Sequence, residues 1–106
     1  MKSISDKKSA EFARWFKCLG DSTRVKLLSI VASADRPLTV GELVELMGKS
    51  QSTVSHHLQI LADERFVFTE TDSTKTYVRV NNKCMTELPD AAAEIMGHRV
   101  RNTKKQ

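Results

Sequence analysis

The sequence predicts a mainly α fold with one small β-hairpin towards its C-terminal end. Three observations predict it. Apolar residues recur at spacings of three and four in successive stretches. Those stretches are punctuated by helix signals, with Asp21, Thr39 and Ser50 as starts and Gly20, Gly48 and Gly97 as stops. Two adjoining runs, FVFTET and TYVRV, are instead rich in β-branched and aromatic residues, as paired strands are. A chain of 106 residues is long enough for a single domain with a modest core. That domain is expected over residues 1–97, followed by a basic, disordered tail at 98–106.

In chain order, residues 1–8 are polar and expected to fray. From Ser9, AEFARWFKCL carries Phe12, Trp15, Phe16 and Leu19 at helical spacing, more aromatic surface than a domain this small easily buries alone. These four residues are read as core or as a subunit interface. Gly20 ends this helix and Asp21 caps the next, whose Val25, Leu28, Ile30 and Val31 are expected to span the core. Arg24, in its first turn, is expected to pair with Asp21 rather than reach a phosphate. Asp35-Arg36-Pro37 forms a loop.

The organising stretch follows. Thr39 and Glu42 make a capping box, and Val40, Leu43, Val44 and Met47 form one apolar stripe that ends at Gly48. Ser50 caps a second helix whose core arc is Val54, Leu58 and Leu61. Its opposite arc holds Ser52, Ser55, His56 and Gln59, with Gln51 in the first turn and no carboxylate until Asp63. A solvated face would ordinarily mix Glu with Lys. Short donors and acceptors are what a helix crossing a major groove needs, because Gln pairs with adenine and Ser with several base edges.

The hairpin that follows has no Gly at Asp72-Ser73-Thr74-Lys75, so a loop of about four residues is expected rather than a tight turn. A hairpin directly after such a helix is a wing, which makes the fold a winged helix-turn-helix. Leu88-Pro89 predicts a break, with a last helix from Pro89 to Met96 and Gly97 as its stop. Its apolar Ala91, Ala92, Ile95 and Met96, with Leu88 before them, suit close packing against a partner.

Composition bounds the function. An apolar fraction of 40% with 28% charge is ordinary for a soluble domain, and no apolar run could span a bilayer. MKSISDKK lacks a signal peptide's apolar stretch, so a cytoplasmic protein with no membrane partner is expected. Cys18 and Cys84 are too few and too far apart for a disulfide framework. The formal charge of +4 equals the four bases of the last nine residues, so basicity alone argues weakly for nucleic acid. An enzyme is not expected: His56 and His57 point about 100° apart on one helix, with no acid or nucleophile to complete a catalytic pair.

LGDSTR, LTVGELVELMGKSQSTVSHHLQIL and the hairpin resemble the ArsR/SmtB family of bacterial winged-helix repressors, in matching order from about Phe12 to Met96. The resemblance implies a homodimer joined through its first and last helices, by Phe12, Trp15, Phe16, Leu19, Leu88, Ala91, Ala92 and Ile95. Two recognition helices would enter successive major grooves of an inverted-repeat operator in double-stranded DNA. Gln51, Ser52, Ser55 and His56 fall on positions that look at base edges or nearby phosphates, with Gln59 on the same arc, while Lys49, Thr53 and Lys75 flank the backbone. His57 is expected to be structural. The wing departs from the family pattern, with Glu70 and Asp72 where arginines are common.

The resemblance also frames the inducer. Metal-sensing members carry a cysteine where the central helix begins, and here that position is Thr39. The zinc-type site of the last helix aligns with Asn82, Cys84, Ile95 and His98, a set that includes a side chain unable to ligate, so zinc is not expected. The ending KCMTELPDAAAEIMG is closer to a subgroup associated with arsenic or mercury. Cys18 and Cys84 are therefore candidate sensors for As(III), Hg(II) or an oxidant, against the alternative that both are small buried apolar residues. The rival from another class is a winged-helix protein-interaction module without specific DNA binding.

Overall fold

The computed structural model describes residues 3–97. Its elements run α1 (Asp6–Cys18), α2 (Ser22–Ser33), β1 (Leu38–Thr39), α3 (Val40–Met47), α4 (Gln51–Asp63), β2 (Val67–Asp72), β3 (Lys75–Val80) and α5 (Cys84–Ile95). The expected tail at 98–106 lies outside the described residues.

The helix signals act as their chemistry requires. Asp21 accepts from the amides of Thr23 and Arg24, and the Ser50 hydroxyl accepts from Thr53. The Thr39–Glu42 box forms in both directions, at 3.1 Å and 2.9 Å. Gly48 takes φ 66°, a left-handed value that suits glycine and turns the chain from α3 into α4. Helix α1 begins earlier than expected, at Asp6, because Ser5 caps it through the Lys8 amide. Residues 5–8 are thus ordered rather than frayed.

Three strands form one antiparallel sheet in the order β1-β3-β2. The two-residue β1 is too short to show a period in the sequence, and it pairs Leu38 with Val78 and Thr39 with Tyr77. The wing turn is tighter than expected: Asp72 pairs with Lys75, leaving only Ser73 and Thr74 between the strands. Ser73 supplies the positive φ, 61°, that a glycine would usually provide.

Helix α5 contradicts the expected break at Leu88-Pro89. It starts at Cys84 and carries Pro89 inside. Its start is pinned instead by one tertiary hydrogen bond and a set of local ones. Asn81 donates its side-chain amide to the Arg65 carbonyl at 2.9 Å and accepts from the Lys83 amide at 3.1 Å. The Lys83 carbonyl then receives the Glu87 amide at 2.8 Å and the Thr86 hydroxyl at 3.1 Å. This anchoring outweighs the one intrahelical bond that Pro89 cannot make.

The core is built from Leu27, Val31, Leu38, Leu43, Val54, Leu58, Leu61, Phe66, Val67 and Val78, with Cys18 at its edge. Leu27 rather than Val25 carries the centre of α2; Val25 is exposed, and Leu28 and Ile30 are only partly buried. Phe12, Ala91 and Ala93 are buried but stand apart from this core cluster. Close to them, Lys8 and Glu94 join α1 to α5 at 2.7 Å.

Candidate nucleic-acid interface

Helix α4 divides cleanly into two faces. Val54, Leu58 and Leu61 are buried, while Gln51, Ser52, Ser55, His56 and Gln59 are exposed. A groove beside the exposed face is lined by Gln51 and Ser55 of α4, by Lys75 at the wing tip, and by Glu42 and Glu45 of α3. The fold thus brings Gln51, Ser55 and the wing Lys75 to one groove. It also brings two carboxylates there. Lys49 and Thr53 sit at the opening of α4, and Thr53 is drawn towards the cap by a 2.9 Å bond from Ser50. Gln59 differs from its neighbours, because its amide donates to Asp63 at 2.8 Å and is committed to its own helix.

Behind this face, α4 is locked in orientation. Arg24 is only 14% exposed, donates from Nε to the Cys18 carbonyl at 2.6 Å, and reaches Asp21 at 3.9 Å. Its Nη1 lies 3.2 Å from His57 Nδ1, and since a guanidinium can only donate, that ring nitrogen accepts. His57 is therefore a positioning residue and His56 the outward one. The Asp21 carboxyl is lowered, first by its bond from the Arg24 amide.

On the wing, Phe68, Glu70 and Asp72 lie opposite Arg79, Tyr77 and Lys75, which puts all six on the outer face of the sheet. Arg79 stacks over Phe68 at 4.8 Å. The acidic wing residues are exposed.

Residues 21–68 match the family model "Bacterial regulatory protein, arsR family". Relative to the arsenical resistance operon repressor of Staphylococcus aureus, the chain is 30% identical, over 74% of this chain and 73% of that protein. The chain belongs to the ArsR family. It is also 40% identical to the HTH-type transcriptional regulator KmtR of Mycobacterium tuberculosis, over 69% of this chain and 55% of that protein. The chain thus spans little more than half the length of that regulator. In fold it is similar to the homodimeric winged helix-turn-helix DNA-binding domain of a possible ArsR-family regulator from Mycobacterium bovis. That likeness has a TM-score of 0.65 at 24% identity, over 98% of this chain and 92% of the other. The winged helix-turn-helix reading is therefore correct, and the family is one of transcriptional regulators rather than enzymes. No described helix is long and apolar enough to cross a membrane.

The residues expected at an ArsR dimer interface fall into three groups. Phe16 and Ile95 are open to solvent, 40% and 48% exposed, and Met96 reaches 64%. Phe12 and Ala91 are already buried within one chain, while Trp15, Leu19, Leu88 and Ala92 are half-buried. Trp15 leans on Phe12 at a ring separation of 5.4 Å.

The two candidate sensor thiols differ. Cys18 is buried, its thiol directed at the Ile60 carbonyl 3.9 Å away, and burial raises its pKa. It fits the alternative of a small core residue. Cys84 is half-buried, donates to the Arg65 carbonyl at 3.5 Å and lines a cleft with Trp15, Glu87 and Leu88. Burial, then Glu87, raises its pKa as well. Among the described residues no group of three or more His, Cys, Asp or Glu is placed to hold a metal ion. Asn82 and Ile95 are exposed, and His98 lies outside the described residues.

Proposed function

We propose that this chain is a dimeric, sequence-specific DNA-binding transcriptional repressor, released from an inverted-repeat operator by an inducer. The observation that carries this reading is the outer face of α4, where Gln51, Ser52, Ser55 and His56 are exposed together, with Lys75 in the groove beside Gln51 and Ser55 and exposed Lys49 just before the cap. Laid in a major groove, these side chains offer hydrogen bonds to base edges, and the two lysines offer charge to the phosphates that border it. Repression is supported by the staphylococcal relative, which is named as a repressor. Dimerisation is supported by the exposed Phe16, Ile95 and Met96 on the first and last helices. For a thiophilic inducer, As(III) or Hg(II), the accessible entry point is Cys84 rather than buried Cys18.

The test is a titration of the protein onto its own upstream promoter duplex and onto a scrambled duplex. Gln51→Ala and His56→Ala should each lose on the order of 1–3 kcal/mol of discrimination between the two, with the circular dichroism of the parent retained. Unchanged discrimination in both variants overturns the reading. With As(III) or Hg(II) added, release that survives Cys84→Ser removes this thiol from sensing.

One observation favours a second reading, a winged-helix module that binds another protein: Glu70 and Asp72 put acid on the outer face of the wing. That module would bind DNA weakly and without sequence preference, through the basic residues 98–106. Deleting those residues leaves discrimination in place for a repressor and abolishes DNA binding for the module.

A further inference from the structure

A helix lying in a major groove is bordered by a phosphate ridge on each side, and the wing can meet only one of them. On another side of the helix pair, a groove runs between the start of α2 and the end of α3, where the chain turns into α4. Ser22, Thr23, Lys26 and Lys49 line it together with Leu46 and Met47. No carboxylate is among those residues, whereas the groove on the wing side includes Glu42 and Glu45. Lys26, Lys49 and Ser22 are exposed.

We infer that this groove is a second DNA-contact surface, in which Lys26 and Lys49, helped by the Ser22 and Thr23 hydroxyls, hold the sugar–phosphate backbone of duplex DNA. The inference rests on the repressor reading. Lys49 immediately precedes the cap of α4, so the groove is continuous with the base-reading face. The nearest acid in sequence, Asp21, is turned to its own helix, its Oδ1 accepting from the Thr23 and Arg24 amides at 2.9 Å and 3.1 Å. Those amides are therefore already used, and the phosphate is left to the side chains. Arg24 cannot serve, because it is held by the Cys18 carbonyl and His57. The rigidity of the clamp follows from the same bonds: the Arg24–His57 contact ties α2 to α4, so Lys26 and the reading face move as one body. Recognition would then be gripped from two directions, by the wing at Lys75 and by the α2 start at Lys26.

The experiment measures affinity against salt for the full chain, Lys26→Ala and Lys26→Glu, on the promoter duplex and on the scrambled one. Each phosphate contact adds about 0.9 to the slope of log affinity against log salt. Lys26→Ala should lower that slope by about one on both duplexes. Its affinity loss between about 50 and about 200 mM salt should be roughly 3.5-fold smaller than the parent's. The ratio between the duplexes should stay unchanged, and Lys26→Glu should weaken both further. A slope unmoved by either substitution overturns the clamp, and so does a loss confined to the promoter duplex, which would make Lys26 a base reader. A parent that does not discriminate between the duplexes refutes the repressor reading, while the slopes still decide the clamp.

Discussion

Glu42 serves two neighbours at the start of α3. Its carboxylate accepts from the Thr39 amide to close the capping box and binds Arg36 in a fork, at 3.1 Å and 2.6 Å. The Arg36 bonds first, then the Thr39 amide, lower its pKa from 4.5 to about 2. Between those two values the folded chain binds fewer protons at this site than the unfolded chain, so stability rises with pH across that window. The contribution is complete above about 4.5 and is lost as pH falls through about 2. Urea midpoints of the parent and of Glu42→Gln should therefore differ most above pH 4.5 and converge as pH falls towards 2. Parallel curves would mean that the fork does not hold in solution. This residue was legible in the sequence as a cap. Its pairing with Arg36 was not, because that bond depends on how the Asp35-Arg36-Pro37 loop folds back.

Elements whose boundaries are written locally were legible: the capping box, the Gly48 stop, the Ser50 cap and the two faces of α4 all follow from residues within one or two turns. Elements fixed from a distance were not. Helix α5 starts where it does because Asn81 bridges to the Arg65 carbonyl, sixteen residues away, a contact that no local rule contains. Distance in the chain also hides the α2 groove, whose Lys26 lies in α2 and whose Lys49 lies in the turn between α3 and α4. The wing turn escaped because Ser73 takes a conformation that glycine usually fills. Asn81→Ala removes two hydrogen bonds from the start of α5, each worth about 1 kcal/mol. Hydrogen exchange should report a looser first turn of α5 with α3 and α4 protected as before. Unchanged protection from Asn81 to Glu87 would show that Pro89 is accommodated by other means.

At the scale of the whole molecule, the α1 and α5 side carries a group of exposed apolar side chains. Phe16, Ile95 and Met96 are 40%, 48% and 64% exposed on helices that the Lys8–Glu94 pair already joins, next to buried Phe12, Ala91 and Ala93. A second copy would cover these side chains and set two α4 helices apart to read two half-sites, about 34 Å between centres in this class of motif. Substituting Phe16→Asp together with Ile95→Asp adds charge where a partner would bury it, which is strongly unfavourable without a counter-ion. Neither side chain belongs to the core cluster, so the fold should survive. Sedimentation should then find one chain per particle, against two for the proposed dimer of the parent. Promoter affinity should fall far more than either half-site contact accounts for, since the second α4 is no longer tethered. A double variant that remains dimeric would move the interface elsewhere, to the exposed Val25 and Leu46. Leu46 lines the α2 groove, so that outcome would also set dimerisation and the backbone clamp in competition for one surface.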